Sequence, residues 1–386
     1  MPTPHPDPDF IVRTLAQLVR INSINPSIAA DGAGEREIAG FIAHTLGEMG
    51  LSIELVEPEP GRVSVLATMR GGGGGRSLML NGHVDTVGVE GMSAPFSAEI
   101  RHGRMFGRGT HDMKGSLAAC IGAVKALVDA GVRLRGDLVV AAVADEEYGS
   151  LGTTSVLERR QVDAAIVTEP TNLEICLAHK GYAWVEVETR GRAAHGSRFT
   201  EGIDANLRMG RYLGELERLE QTLRAGPAHA LVGPPSLHAA LLAGGSGMST
   251  YAAQCRLTIE RRTIPGETGG QLLAELQGIA DRLHDADPTF EASVRTVFSR
   301  EPWEVAPDTP IVGVLRGASE RVLGRTPRFV GDTPWMDAAL LAAAGVETVV
   351  MGPTGAGEHS IEEWVDLDSV IQMAAILAGT AVEYCG

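Results

Sequence analysis

The sequence predicts an α/β fold with a mostly parallel sheet, into which a second domain of the α+β type is inserted. Short, wholly apolar runs alternate with helical segments, and each run ends in a polar or glycine-rich turn. That pattern is typical of parallel strands buried on both faces. From about Gly181 onwards the runs alternate apolar and polar residues instead, which indicates an antiparallel sheet with one solvated face.

The elements of the first domain follow in order along the chain. Helices are predicted at residues 9–21, 34–50, 113–130 and 336–344, the second of them ended by Gly50. Buried strands are predicted at residues 77–80, 138–143, 164–167 and 348–351. In the inserted domain, strands 182–189 and 254–262 accompany helices 205–223 and 270–283. We therefore assign residues 1–179 and 296–386 to the first domain and residues 180–295 to the inserted domain.

Length and charge restrict the classes of function that the chain can have. With 386 residues it exceeds the ~250–300 at which a single core usually stops growing, in keeping with two domains. A formal net charge of −16 and the lack of any Lys/Arg run argue against nucleic acids and membranes as partners. The start of the chain lacks a secretory signal pattern and the four cysteines are widely spaced. We expect a cytoplasmic enzyme with reduced cysteines.

Histidine and carboxylate side chains follow the ends of all four predicted buried strands. Because parallel strands end at one edge of a sheet, side chains far apart in sequence converge there. Asp112 joins them at the start of helix 113–130, where the helix dipole favours a carboxylate. Imidazole and carboxylate donors without a thiolate suit divalent ions such as Zn²⁺. The residues after the strands are His83 with Asp85, Glu146 with Glu147, Glu169, and His359.

The spacing of these residues indicates different tasks. His83 and Asp85 lie on the same face of an extended segment, so the carboxylate can contact the second imidazole nitrogen and fix its tautomer. The adjacent Glu146 and Glu147 point to different sides of the backbone, so that one can bind metal while the other accepts a proton from water. Adjacency alone leaves open which of them does which. Asp112 is the candidate for a carboxylate that bridges two ions.

Six segments resemble the successive signatures of one known family. They are similar to those of the dinuclear-zinc aminoacylase and carboxypeptidase family, which includes acetylornithine deacetylase, succinyl-diaminopimelate desuccinylase and glutamate carboxypeptidase. The resemblance covers nearly the whole chain and implies a zinc-peptidase-like catalytic domain with an inserted lid domain through which two chains dimerise. Strand 182–189 and helix 205–223 are the candidates for that contact. The segments are LNGHVDTV, GRGTHDMKG, ADEEYGS, VTEPT, HKGYAWVEVETRGRAAHGS and GAGEHSIEEW.

The resemblance also implies a role for each residue of the catalytic domain. Glu146 is the implied general base, and Asp85 supports the ligand His83. Two divalent ions are implied, Zn²⁺ in the first place with Co²⁺ or Mn²⁺ as alternatives, and Asp112 bridges them. The implied metal ligands are His83, Asp112, Glu147, Glu169 and His359.

In the inserted domain, the resemblance points to three residues. His195 in GRAAHGS would stabilise the developing oxyanion in the active site of the partner subunit. Arg262 in ERRTIPGE would hold the carboxylate of the substrate, with Arg261 as its nearest competitor. Ser249 is the candidate substrate-binding residue of GGSGMSTYAAQ, a segment that departs from the Asn and Pro usual in the family.

Two further departures from the family pattern flank metal ligands. His111 precedes Asp112 where Ala or Ser is frequent, and Glu358 precedes His359 where a small residue is usual. We interpret both as packing or supporting residues.

Together the motifs predict a metal-dependent hydrolase that cleaves an amide bond of a small N-acyl amino acid. The attacking group would be a hydroxide between two metal ions, with Glu146 as general base. A dipeptidase or carboxypeptidase with the same centre is the alternative. A metal-containing binding protein without turnover is a third hypothesis, against which Glu146 argues, because binding alone needs no spare base.

Overall fold

The computed structural model describes residues 4–386 and divides them into two compact units. The first unit runs through Leu177 and continues with Val305–Val330 and Met336–Gly386. The second unit comprises Ala178–Glu304 and the short segment Gly331–Trp335. The sequence analysis placed the corresponding changes after residues 179 and 295.

Nine α-helices lie within residues 4–386, and a turn at Thr110–Lys114, in which Asp112 and Met113 have non-helical backbone angles, precedes the third of them. Side-chain caps fix several starts: the Asp7 carboxylate accepts the Phe10 N–H at the first helix. Among the helices of this described part, none is long and apolar enough to cross a membrane. The helices are α1 (Pro8–Arg20), α2 (Arg36–Glu48), α3 (Gly115–Asp129), α4 (Leu151–Arg159), α5 (Ala205–Ala225), α6 (Gly269–Ala286), α7 (Pro310–Leu323), α8 (Ala338–Ala343) and α9 (Leu367–Tyr384).

The same part of the chain forms seventeen β-strands in three sheets. They are β1 (Ser52–Val56), β2 (Ser64–Met69), β3 (Leu78–His83), β4 (Glu99–Arg101), β5 (Arg104–Phe106), β6 (Leu138–Val143), β7 (Ala164–Val167), β8 (Ile175–His179), β9 (Gly181–Arg190), β10 (Ser236–Gly244), β11 (Gln254–Thr263), β12 (Glu291–Arg300), β13 (Trp303–Glu304), β14 (Phe329–Asp332), β15 (Glu347–Val350), β16 (Gly355–Ala356) and β17 (Trp364–Asp366).

The main sheet has the strand order β1-β2-β6-β3-β7-β15-β8-β13, with β14 paired to β8. The central strands β6, β3, β7 and β15 are parallel to one another and correspond to the four predicted buried runs. The α/β class with a parallel core is thus confirmed. The flanking pairs β1/β2, β2/β6, β15/β8 and β8/β13 are antiparallel. In β1 and β2 this follows from a connection that is too short for a parallel crossover.

Burial explains why the central strands read as unbroken apolar runs. Every residue of β3, β6 and β7 is buried, and α3, which packs against α1 and α9, is buried over most of its length. Because the four central strands are parallel, their carboxyl ends lie at the same edge of the sheet. This edge is where the chemistry-bearing residues follow the strands.

The second unit contains an antiparallel sheet in the order β10-β11-β9-β12, with α5 and α6 packed against it. Its core includes Val185, Val187, Leu257 and Ile259. The alternation predicted for residues 182–189 is present in β9. However, β9 lies between β11 and β12, so both of its edges are already paired, and β10 and β12 form the edges of this sheet.

Candidate metal centre

The central strands of the main sheet deliver the candidate ligands to one edge. His83 is the last residue of β3, and Glu169 follows the end of β7. Glu146 and Glu147 lie in the turn after β6. His359 lies in the loop between β16 and β17, beyond β15. These five residues therefore come together as the sequence analysis expected, because parallel strands end at one edge of the sheet.

Asp112 lies between the two histidines of the centre. Its Oδ1 atom is 2.9 Å from Nε2 of His83, and its Oδ2 atom is 3.4 Å from Nε2 of His359. An oxygen of Glu169 is 3.6 Å from the His83 nitrogen, and an oxygen of Glu147 is 3.1 Å from the His359 nitrogen. Each side of Asp112 thus offers one imidazole, one aspartate oxygen and one glutamate.

The donor atoms are close enough to share an ion. Those of His83, Asp112 and Glu147 lie within 4.8 Å of one another, and so do those of His83, Glu146 and Glu169. Bonds of ~2.0–2.2 Å to an ion between them fit that spacing. Nitrogen and oxygen donors without a thiolate suit Zn²⁺ and related divalent ions, so the residues present fit such a group. Glu146 and Glu147 each belong to one of these two groups.

Burial and the crowding of carboxylates make negative charge costly at the centre. Burial, and after it the charge of Glu169, raises the pKa of Glu146 well above its usual value. Burial likewise raises the pKa of Glu169. Hydrogen bonds to Asp112 and then Glu147 raise the pKa of His359 to about 10. Negative charge is therefore costly at this centre, and divalent cations would relieve the repulsion.

Asp85 supports the centre in a different way from the one predicted. Nδ1 of His83 donates to the backbone carbonyl of Asp85 at 2.9 Å, whereas the nearer carboxylate oxygen of Asp85 is 3.6 Å away. The reason is that β3 ends at His83, so the alternation of an extended strand does not continue to residue 85. This bond uses Nδ1, so Nε2, on the side of Asp112, is the nitrogen of His83 that could bind a metal ion. The Asp85 carboxylate instead accepts the N–H groups of Glu146 and Glu147 at 3.1 and 3.2 Å.

A buried carboxylate that the sequence analysis missed holds the loop of Asp112. One oxygen of Glu363 accepts the N–H groups of His111 and Asp112 at 2.9 and 3.0 Å. The other oxygen accepts the Gly109 N–H at 2.8 Å and the Arg108 guanidinium at 2.7 Å. The available signal was the second acid of IEEW, directly before an aromatic residue. Paired acids usually lie in solvated turns, so this signal is weak.

The two departures from the family pattern contact each other. Nε2 of His111 lies 2.7 Å from a carboxylate oxygen of Glu358. His111 directly precedes Asp112 and Glu358 directly precedes His359, so the contact joins the two loops that carry these ligands. Within residues 4–386, His111 belongs to neither of the groups that could hold an ion.

Two candidate residues of the second unit lie on neighbouring loops. The Gly196 N–H donates to the Ser249 carbonyl at 2.7 Å, which places the segment after His195 beside Ser249. Both His195 and Ser249 are exposed. Nδ1 of His195 accepts the Ser197 N–H at 3.2 Å, so Nε2 carries the proton of the neutral ring.

The two adjacent arginines of the second unit have different surroundings. Arg261 is buried, and its guanidinium donates to Glu267 at 2.7 Å. Arg262 is half-buried, pairs with Glu260 and stacks over the Tyr182 ring with its guanidinium carbon 5.1 Å from the ring centre. Of the two, Arg262 is therefore the one that a solute can reach.

Comparison with known sequences identifies the family. The profile of peptidase family M20/M25/M40 matches residues 79–383. The chain belongs to this family. It is 31% identical over 390 residues to acetylornithine deacetylase from Myxococcus xanthus, with 97% of both chains covered. It is 29% identical over 381 residues to N-formyl-4-amino-5-aminomethyl-2-methylpyrimidine deformylase from Bacillus subtilis (strain 168), with 90% of this chain and 89% of that one covered.

Solved structures of the family share the fold. Aminopeptidase PepT from Bacillus cereus superposes with a TM-score of 0.80 at 18% identity, covering 99% of this chain and 100% of that chain. A dinuclear metal-binding peptidase of the M20 family from Bacillus subtilis gives a TM-score of 0.75 at 16% identity, with 98% of both chains covered. The predicted family is thus confirmed, and the protein is a hydrolase that acts on amide or peptide bonds.

We predict that the contact between His111 and Glu358 strengthens metal binding by holding the two ligand loops together. His111→Ala and Glu358→Ala should each weaken the affinity for Zn²⁺ about tenfold. The double variant should lose no more than either single variant, because both remove the same contact. Competition with a chromophoric chelator measures the three dissociation constants.

The matched control is a His–Glu contact that involves none of the candidate ligands, His229 with Glu304 at 3.0 Å in the second unit. Alanine at either of these positions should leave the Zn²⁺ affinity unchanged. Fully additive losses in the His111/Glu358 pair, or no losses, would contradict the prediction.

Proposed function

We propose that the protein removes a small acyl group from the nitrogen of an amino acid, using two divalent ions, Zn²⁺ in the first place. The observation that carries the proposal is Asp112, whose two oxygens face the imidazoles of His83 and His359, with a glutamate on each side. The relatives at 29–31% identity are named for deformylation and deacetylation, which favours deacylation. The peptidases among the solved structures are more distant, at 18% identity or less.

In the proposed reaction, Glu146 carries the proton. Two divalent ions would supply polarisation of the acyl carbonyl and acidification of water. Glu146 accepts the proton of the attacking water and then donates it to the leaving amine, a task that suits a carboxyl with a raised pKa. The Asp85 carboxylate holds the N–H groups of Glu146 and Glu147 and thereby keeps this turn in place.

Residues of the second unit would bind the remainder of the substrate. The planar guanidinium of Arg262 suits a carboxylate, which selects the amino acid portion. The Nε2–H of His195 can donate to the oxygen that becomes negative in the transition state. Ser249, on the loop beside His195, is the candidate for a further polar contact with the substrate.

The test of this proposal is metal-dependent hydrolysis of a matched panel of substrates. Exhaustive chelation should abolish activity, and Zn²⁺, Co²⁺ or Mn²⁺ should restore it, because all five proposed ligands are nitrogen or oxygen donors. N-formyl and N-acetyl amino acids should be cleaved faster than dipeptides of the same amino acid. Apparent metal affinity should fall as the pH is lowered, because protons compete for His83 and His359.

The control substrate is the same N-acyl amino acid with a carboxamide in place of its carboxylate, which Arg262 should bind poorly. Full activity in protein shown by metal analysis to be empty would refute the proposal. Preferential cleavage of dipeptides would favour the dipeptidase alternative.

We expect Glu146→Gln to lower kcat by ~10²–10⁴, the range typical of lost general acid–base catalysis, while metal content stays near that of the wild type. Glu147→Gln is the matched control, since loss of a ligand should reduce the metal content instead. Turnover and metal analysis on the same preparations separate the two effects. Loss of metal in the Glu146 variant alone would mean that Glu146 is the ligand and Glu147 the general base. Wild-type turnover in the Glu146 variant would mean that Glu146 takes no part in the mechanism.

We further propose that the protein is a homodimer formed through the second unit, in which His195 completes the active site of the partner subunit. The exposed edge strand β10 supports this proposal, because Leu241 and Leu242 on it are 69% and 57% exposed and no strand within residues 4–386 pairs with its outer edge. A two-fold axis would pair two such edges.

The dimer proposal predicts complementation in trans. His195→Ala and Glu146→Ala should each be inactive, and mixing them with subunit exchange should restore activity, since one site of the heterodimer then holds both wild-type groups. Activity is measured after exchange has been verified with labelled chains. No recovery would mean that His195 acts within its own chain or takes no part in catalysis.

A further inference from the structure

A buried polar network, here termed the Asn25 network, lies against the turn that carries Glu146 and Glu147. Three of its members precede residue 79, where the match to the family profile begins. Each member is at most 4% exposed. The members are Asn25, Glu35, Arg62, Asp85 and Asp145.

The side-chain amide of Asn25 is fully used. Its Nδ2 group donates to Asp85 at 2.8 Å and to Asp145 at 3.0 Å. Its Oδ1 atom accepts from Arg62 at 3.1 Å and from the Ser27 N–H at 2.8 Å. Two donors and two acceptor directions are all that an amide has, so these four contacts fix its orientation.

The two carboxylates that Asn25 contacts fix the two ends of the turn. Asp85 accepts the N–H groups of Glu146 and Glu147. Asp145 directly precedes Glu146 and has a φ of +70°, a left-handed conformation that costs energy outside glycine. Its carboxylate accepts the Leu151 N–H, just after the turn, at 3.4 Å. The position of this turn therefore depends on both carboxylates.

Arg62 balances part of the charge in this network. Its guanidinium lies 2.8 Å from Glu35 and 2.5 Å from Asp145. Removing Arg62 would leave carboxylates buried without a cation, which is strongly destabilising in itself. Asn25 is uncharged, so its substitution tests the position of the turn with less disturbance of the fold.

We propose that Asn25 is a positioning residue of the metal centre. By holding Asp85 and Asp145 in fixed places, it sets the turn so that Glu147 meets the ions while Glu146 meets the attacking water. The inference rests on the proposed function of these two glutamates, and it assigns to the N-terminal segment a role in a centre whose ligands all lie beyond it.

The experiment compares Asn25→Asp and Asn25→Ala with the wild type. The aspartate variant keeps size and the acceptor oxygen but removes both donors, and the alanine variant removes them without adding charge. Both should weaken the affinity for Zn²⁺ by about 10–100-fold, as loss of a partner of the ligand shell typically does. The absorption spectrum of the Co²⁺-loaded protein should change, and kcat should fall more than KM rises.

The control is Thr380→Val in α9, which removes a buried hydrogen bond of 2.8 Å to the Ile376 carbonyl within the helix. It should lower the melting temperature but leave metal affinity and the Co²⁺ spectrum unchanged.

Three results would overturn the proposal. The first is a wild-type metal affinity and Co²⁺ spectrum in both Asn25 variants, and the second is an equal loss of affinity in the Thr380 control. The third is failure of both Asn25 variants to fold, which would show that Asn25 is required for folding instead. A wild-type protein that binds metal but cleaves no acyl substrate would refute the proposed function alone, since the comparison of affinities still holds.

Discussion

The crowding of carboxylates at one edge of the main sheet is the constraint on which the first unit depends. The parallel strands bring carboxylates together where little water remains, and desolvation raises the pKa values of Glu146 and Glu169. Such a cluster is stable only if each carboxylate has a donor or a cation. The loops around the edge are therefore built to supply donors, and the histidines provide the nearest positive charge.

Two buried groups of residues share this task. On the side of Asp112, Glu363 gathers backbone N–H groups and is paired with Arg108. On the side of the glutamate turn, Asn25 and Arg62 hold the acids behind it. In both groups an arginine offsets a carboxylate that itself orders backbone. The candidate ligands are thus positioned by backbone segments that buried side chains hold in place through hydrogen bonds. This suits a centre in which small displacements change reactivity.

The sequence indicated the candidate ligands, which the structure brings together, but not the residues that support them. An apolar run followed by an acid or a histidine is a local signal, and the geometry of parallel strands turns several such signals into one site. No comparable sequence pattern marks Asn25 and Glu363, because the sequence next to a buried polar residue does not differ from the sequence next to a solvated one. The strand at residues 182–189 shows the same limit: alternation indicates which face is exposed, but the neighbours of a strand depend on pairing across long stretches of chain.

The position of β15 in the main sheet has a consequence for the order of assembly. β7 and β8 are consecutive in sequence, yet β15 lies between them and pairs with both. During translation, which proceeds from the N-terminus, β7, β8 and the whole second unit are therefore synthesised before β15. Until then, the position of β15 in the sheet is unfilled. During that interval two strand edges in the middle of the future core are open to pairing with other chains. Translation of the last segment supplies both β15 and His359. A nascent chain therefore pairs these two strand edges and completes its set of candidate ligands at the same stage.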